Sequence, residues 1–323
     1  MPIGYLVAVT FVAWCTLFAV APPRPRQSSP SNKSYWFGFL LNELPFVAFY
    51  WLLASTLLAF GQGDIGSPGG WVAFGVVVLA TVGLVVVTRR GLRAGSAVDH
   101  ALSAGLGAGW RAAIDAGMAA RLRRRLPWAR LLFGPFFVRR RDVERVANIS
   151  YGDAGKRNLL DVYRHRSHPS GGPTLIYLHG GAFRSGRKNH EARPLLYRLA
   201  SQGWVCISAN YRLSPAARFP DHHVDAKKVV AWVREYGHEY GADPTVVFVE
   251  DARRFVARLR STSSNPVVYA ELPGAQHTFD LFHSLRFERV VDGIEAFAAW
   301  VRSREEAQQV WLDRPENAPR RRP

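Results

Sequence analysis

The chain is short of cysteine and of acid. Two cysteines in 323 residues, Cys15 in an apolar N-terminal run and Cys206 in a β-branched stretch, give neither a CxxC spacing nor a disulfide framework. That excludes a small stapled scaffold and a cysteine-ligated metal, and it places the larger soluble part in a reducing compartment, with both thiols read as free and buried. Asp and Glu number 25 against 42 Lys and Arg, for a net charge of +17. Such a surplus raises the question of a polyanionic partner. No zinc-finger or RNP signature accompanies it, so nucleic acid is not expected, and no spacing calls for a metal or a cofactor. What the chain does have is apolar material: 48% hydrophobic and 12% aromatic residues, enough to pack one large or two ordinary domains.

The basic residues are not scattered. Arg89, Arg90 and Arg93, then Arg121, Arg123, Arg124, Arg125 and Arg130, then Arg139, Arg140 and Arg141 follow an apolar N-terminal region, and Arg320 to Arg322 close the chain. Anionic lipid headgroups explain this juxtamembrane pattern directly. Three apolar segments precede it, Ile3 to Ala21, Tyr35 to Phe60 and Trp71 to Thr88, each near the roughly 20 residues that span a bilayer. Asn42, Glu43 and Pro45 interrupt the second. They imply a helix that starts late, or polar groups turned toward the other helices; the late start is the favoured reading.

Loop charge then orients the region. Arg24, Arg26 and Lys33 lie in the first loop, no Lys or Arg lies between Gly61 and Gly70, and arginines crowd the end of the third segment. The N-terminus is expected outside and the C-terminal part in the cytoplasm of a multi-pass inner-membrane protein. A signal peptide cut after Ala19-Val20-Ala21 would need positive charge before the apolar run, and there is none. Residues 96–141 mix Trp110, Trp128 and arginines, as interfacial or capping helices do.

Beyond Arg141 the periodicity turns β/α. Strands are expected at Val146 to Tyr151, Leu159 to Tyr163, Thr174 to Leu178, Val205 to Ala209, Val246 to Val249 and Val267 to Leu272. Helices are expected at Leu195 to Gln202, Val224 to Glu239, Glu250 to Arg260 and Phe287 to Arg304. A mostly parallel sheet with helices on both faces follows. Trp232, Phe297 and Trp300 sit at helical spacing as core, and His222, His223 and Asp225 read as exposed helix-start residues.

One strand ends in His179-Gly180-Gly181-Ala182-Phe183, where glycines let backbone N–H groups approach a developing oxyanion. Asn210-Tyr211-Arg212-Leu213-Ser214-Pro215, Arg218-Phe219-Pro220, Ser150-Tyr151-Gly152 and Asn158-Leu159-Leu160-Asp161-Val162-Tyr163 accompany it. With these motifs the chain resembles the hormone-sensitive-lipase-like branch of α/β-hydrolase esterases and lipases, over roughly Val143 to Arg304. The resemblance implies an oxyanion hole at His179, Gly180, Gly181 and Ala182, and a catalytic base at His277 within Gln276-His277-Thr278. It also implies a Ser nucleophile on a strand-to-helix elbow and a later acid.

The chain holds no G-x-S-x-G. Where the elbow should follow Asp243 to Val249, the sequence continues Glu250-Asp251-Ala252-Arg253, like the helix after the acid-bearing loop of relatives. An internal deletion between Val249 and Glu250, of roughly 60 to 100 residues at about 30 per βαβ unit, would remove nucleophile and acid together. It would also uncover part of the sheet and lower stability. Ser103, Ser185 and Ser214 are poor substitutes by position. Glu250 and Asp251 are candidates for a replacement acid, although a helix start favours such residues irrespective of catalysis.

The expected organisation is a transmembrane helical domain over 1–95, a basic juxtamembrane or cap segment over 96–141, a truncated α/β-hydrolase domain over 142–308 and a basic disordered tail over 309–323. Three functions compete: a membrane-anchored carboxylesterase or lipase acting on acyl esters, a non-catalytic remnant of one, and a basic module that binds anionic lipid.

Overall fold

The computed structural model describes residues 3–21, 33–122, 125–248, 266–275 and 279–312. The chain divides into two compact units, one of residues 1–98, 125–137 and 271–290 and the other of 99–124, 138–270 and 291–323.

The first unit is helical: α1 Ile3–Val20, α2 Lys33–Glu43, α3 Pro45–Gly61 and α4 Pro68–Leu92. Ser67 starts α4, its hydroxyl accepting the Gly70 amide at 3.1 Å with Pro68 in the first turn. Val9, Val12, Leu52, Ala73, Val77 and Leu84 pack inside, while Phe11, Leu57, Trp71 and Leu79 face outward. Helices apolar all round suit lipid better than water. Two helices are long and apolar enough to cross a membrane, or three if α2 and α3, bent by 98°, make one span.

The break corrects the picture of one continuous helix over Tyr35 to Phe60. Pro45 has no N–H to give and crowds the residue before it, so Leu44 leaves helical backbone and α3 starts afresh. Both readings of the polar interruption hold at once. The helix starts late, and the polar side chains before it are buried and partnered: Asn42 donates to the Gly274 carbonyl at 2.7 Å, and Arg286 donates to the Asn42 carbonyl at 2.8 Å and to Glu43 at 3.2 Å. At the other helix ends Arg90 donates to the Val20 carbonyl at 2.6 Å, a cation on the negative end of α1. That bond brings the C-terminal ends of α1 and α4 together, so the two flanking basic runs start on one side of the unit.

The second unit is built on a five-stranded sheet of β1 Val143–Ser150, β2 Leu159–His165, β3 Gly172–Leu178, β4 Val205–Ala209 and β5 Ala242–Phe248. Its order is β1-β2-β4-β3-β5. The sheet is mixed: β1, β2 and β4 pair antiparallel, whereas β3 is parallel to β4 and β5. Before it run α5 Ala94–Leu106 and the short α6 Ala116–Arg121, with α7 Trp128–Phe133 belonging to the first unit.

Helix α8 Arg193–Ala200 covers one face and α9 Asp221–Tyr236 the other, where Val229, Trp232 and Val233 meet Leu160, Val162, Ile176 and Ile207. All five residues of β4 are buried, as a strand covered on both faces requires. The long helix α10 Leu285–Leu312 holds α8 through Arg198, fully buried and bonded to Asp292 at 2.9 Å and Glu295 at 3.1 Å.

Cys15 and Cys206 are buried free thiols, and Trp232 and Trp300 are core, as expected. The sixth strand is not formed. Residues 266–272 carry no regular secondary structure, and Val268 packs against Gly105 of α5. A β-branched run fits any half-buried surface, so its composition alone does not bring it into a ladder. Asp225 is a second correction. It is not an exposed helix-start residue but fully buried, because it receives a bidentate pair of bonds from Arg212.

Candidate oxyanion loop

Strand β3 ends at Leu178 and releases His179 into the loop. Gly181 has φ +107°, and Ala182 and Phe183 follow at +52° and +59°. Two consecutive side-chain-bearing residues in left-handed backbone cost about 1–3 kcal/mol each, a strain that persists only where the surroundings impose it. Those surroundings are specific. The His179 ring is buried, stacks on Tyr211 at 4.4 Å and donates from Nδ1 to the Gly180 carbonyl at 2.8 Å. Burial lowers its pKa, partly opposed by that hydrogen bond, which keeps the imidazole neutral. Tyr211 donates to the His179 carbonyl at 2.6 Å, and burial raises its pKa to about 12, so the phenol stays a donor.

The motif after β4 thus serves the loop before it. Tyr211 clamps His179, the Ser214 amide bonds the Phe183 carbonyl at 2.7 Å, and Arg212 anchors the whole stretch to α9 through Asp225. Burial pushes the Asp225 carboxyl up, but its bonds from the Arg212 side chain and amide outweigh burial and hold it below the ordinary range.

A third support lies deeper. Asp161 on β2 is fully buried and accepts from Arg145 at 2.7 and 3.0 Å, from the Asn148 amide at 2.9 Å and from the Lys188 ammonium. Asn148 sits at φ +63° in the β1 bulge, where the backbone turns its amide toward the carboxylate. Lys188 also donates from its amide to Asn210 at 2.8 Å, and its carbonyl accepts from Ser208 at 2.6 Å. The far end of the loop is therefore tied to β2, β4 and the segment after β4.

The geometry divides the sequence-based hole. The Gly180 amide is already engaged by the Glu191 carboxylate at 2.8 Å, with the Tyr177 hydroxyl on the same oxygen at 3.3 Å. Among the described residues the Gly181 and Ala182 amides meet no acceptor. Glu191, Lys188 and Asp161 were not singled out by sequence reasoning as parts of the site. A buried acid and lysine inside a β/α pattern were the available signal, but their pairing across 27 residues was not.

Each serine examined as a substitute nucleophile has local work. Ser103 accepts from Trp110 at 3.2 Å, Ser214 donates to the Ala217 carbonyl at 3.0 Å, and exposed Ser185 closes the glycine turn. His277, Glu250 and Asp251 lie outside the described residues, as does the Val249/Glu250 junction.

Known proteins match this frame. The family model BD-FAE covers residues 160–292. "Probable carboxylic ester hydrolase LipM" of Mycobacterium tuberculosis is 28% identical over 418 aligned positions, taking in 93% of this chain and 93% of LipM. Esterase LipQ of the same organism is 38% identical over 130 residues, 39% of this chain and 31% of LipQ. A crystal structure of esterase B from Lactobacillus rhamnosis overlays on 46% of this chain and 44% of its own, at 24% identity and a TM-score of 0.31. The LipM alignment carries a further number. Because 93% of 323 residues is about 300, more than 100 of its 418 positions have no residue of this chain opposite them.

Proposed function

Since the chain belongs to the esterases of the α/β-hydrolase fold, we propose that it is a membrane-anchored ester-hydrolase homologue whose nucleophile and acid are missing, leaving an oxyanion loop without acyl transfer. The observation that carries this reading is the surplus of LipM positions, more than 100, together with a sheet order that ends at β5, the strand after which an elbow would follow. Assigning those positions to the Val249/Glu250 junction accounts for the absent G-x-S-x-G in one event.

In this reading the Gly181 and Ala182 amides would face an acyl oxygen, the strained backbone of 181–183 aims them, and His179 acts through its ring packing. Gly180, committed to Glu191, shapes the loop instead of donating. His277 is retained as a base with no serine to serve, and Asp251 caps a helix start. The preferred ligand class is an acyl ester or lipid. The apolar helices and flanking arginines support an inner-membrane location, with the sheet-bearing unit in the cytoplasm and its basic segments at anionic headgroups.

The test is fluorophosphonate labelling of the full chain in native membranes, alongside short-chain ester turnover and an intact homologue as a positive control. No label and no turnover are expected. A label abolished by a single Ser substitution would overturn the proposal and identify a nucleophile. Reading the gene across the Val249/Glu250 junction checks the deletion independently.

A further inference from the structure

The segment of residues 125–137 in the first unit has two faces. Leu126 and Leu131 are buried with Leu285 and Phe46, which fastens the segment to the helical unit. Its other side is apolar and uncovered: Trp128 is 45% exposed, Phe133 74%, Phe136 56% and Phe137 73%. Isolated exposed aromatics are ordinary, but four within ten residues form a contiguous patch.

Its position is fixed by ring contacts. Trp128 meets Phe46 edge-on at 6.4 Å and Phe133 stacks on Tyr50 at 6.3 Å, so the patch stands beside the first two turns of α3. That is the end of the unit where Glu43, Arg286 and the helix break lie. Exposed arginines border it: Arg89, Arg93 and Arg125 in the same unit, with Arg139 and Arg141 next along the chain. Aromatic rings beside a helix entry, rimmed by cations, match the level of the membrane where amphipathic rings sit among headgroups. A watery surface would leave the patch unsatisfied, and a purely electrostatic contact would not need the rings.

We infer that residues 128–137 form an interfacial foot, with Phe133, Phe136 and Phe137 inserted at the acyl–headgroup boundary of an anionic leaflet and the neighbouring arginines on its phosphates. This rests on the membrane reading of the helical unit, and it makes that unit's attachment to lipid continue beyond its spans.

The test is site-directed spin labelling of the full chain, with Cys15→Ala and Cys206→Ala, reconstituted in phosphatidylcholine–phosphatidylglycerol vesicles. Nitroxides are placed at Phe133→Cys and Phe137→Cys, at Leu79→Cys on the outer side of α4 as the span control, and at Lys227→Cys on α9 as the aqueous control. At both Phe positions the expected collision rate with a soluble nickel chelate falls severalfold below that at Lys227, while oxygen accessibility approaches that at Leu79. Aqueous behaviour at Phe133 and Phe137 beside an oxygen-rich Leu79 overturns the inference and leaves the spans standing. Shielding from both reagents overturns it in favour of protein cover, such as a second copy. Aqueous behaviour at Leu79 itself refutes the spans and the foot together.

Discussion

Replacing Asp161 with alanine probes how the oxyanion loop is held. Asp161 is fully buried, and its removal leaves the Lys188 ammonium, whose side chain is 5% exposed, with Asn148 at 2.9 Å as its remaining partner. Breaking a buried ion pair from one side costs about 3–5 kcal/mol, because the surviving charge keeps its desolvation penalty. Arg145 adds little to this, since its side chain is 29% exposed and water can take over its bonds. At about 2–4 °C per kcal/mol for a unit of this size, Asp161→Ala should melt roughly 6–20 °C below the parent. Lys188→Met removes the same pair from the other side and should cost less, about 1–3 kcal/mol, because Arg145 and the Asn148 amide still satisfy the carboxylate.

The assay is thermal unfolding of the full chain in detergent, followed by the infrared amide I band of the sheet, to which the helical unit does not contribute. An Asp161→Ala chain melting within about 2 °C of the parent would refute the reasoning, being less than about 1 kcal/mol. So would a larger loss for Lys188→Met, since the ordering depends on which charge is left alone.

Three further outcomes are expected. His179 has a lowered pKa in the folded state, so the stability it contributes is present above the unfolded value of about 6.5 and is lost as pH falls below it. His179→Phe, which keeps the ring stack, should flatten the parent's stability loss between about pH 6.5 and 5 in denaturant titrations. Asp225, also lowered when folded, contributes stability present above about pH 4 and lost below it, so the stability gap between parent and Asp225→Asn should close in acid, as read by urea unfolding at stepped pH. In the helical unit, Glu43→Ala should destabilise the detergent-solubilised chain by about 3–5 kcal/mol by stranding Arg286, and adding Arg286→Met should recover most of that loss in a double-mutant cycle.

What the sequence revealed follows from what periodicity and local motifs encode. Strands β2, β3 and β4 are short β-branched runs between turn residues, and the loop after β3 is marked by its own glycines, so both were legible. Long-range partners were not. Glu43 and Arg286 are 243 residues apart, and nothing near either announces the other. Asp225 looks like any acid in a first helical turn until Arg212 is seen to reach it. Residues 267–272 have the pattern of a strand, yet pairing also needs an open ladder, which composition does not specify.

The supports of the oxyanion loop all come from residues before β5: Asp161, Lys188, Glu191, Tyr211 and the Arg212–Asp225 pair. Nothing after β5 takes part in them. The loop is thus a module whose shape does not depend on the elbow, and a chain of this kind can lose or regain its nucleophile-bearing insert in one recombination step without redesigning the half-site that remains. That makes the junction after Val249 a natural port for engineering: grafting a homologue's insert there would add a nucleophile and acid to a donor loop already assembled.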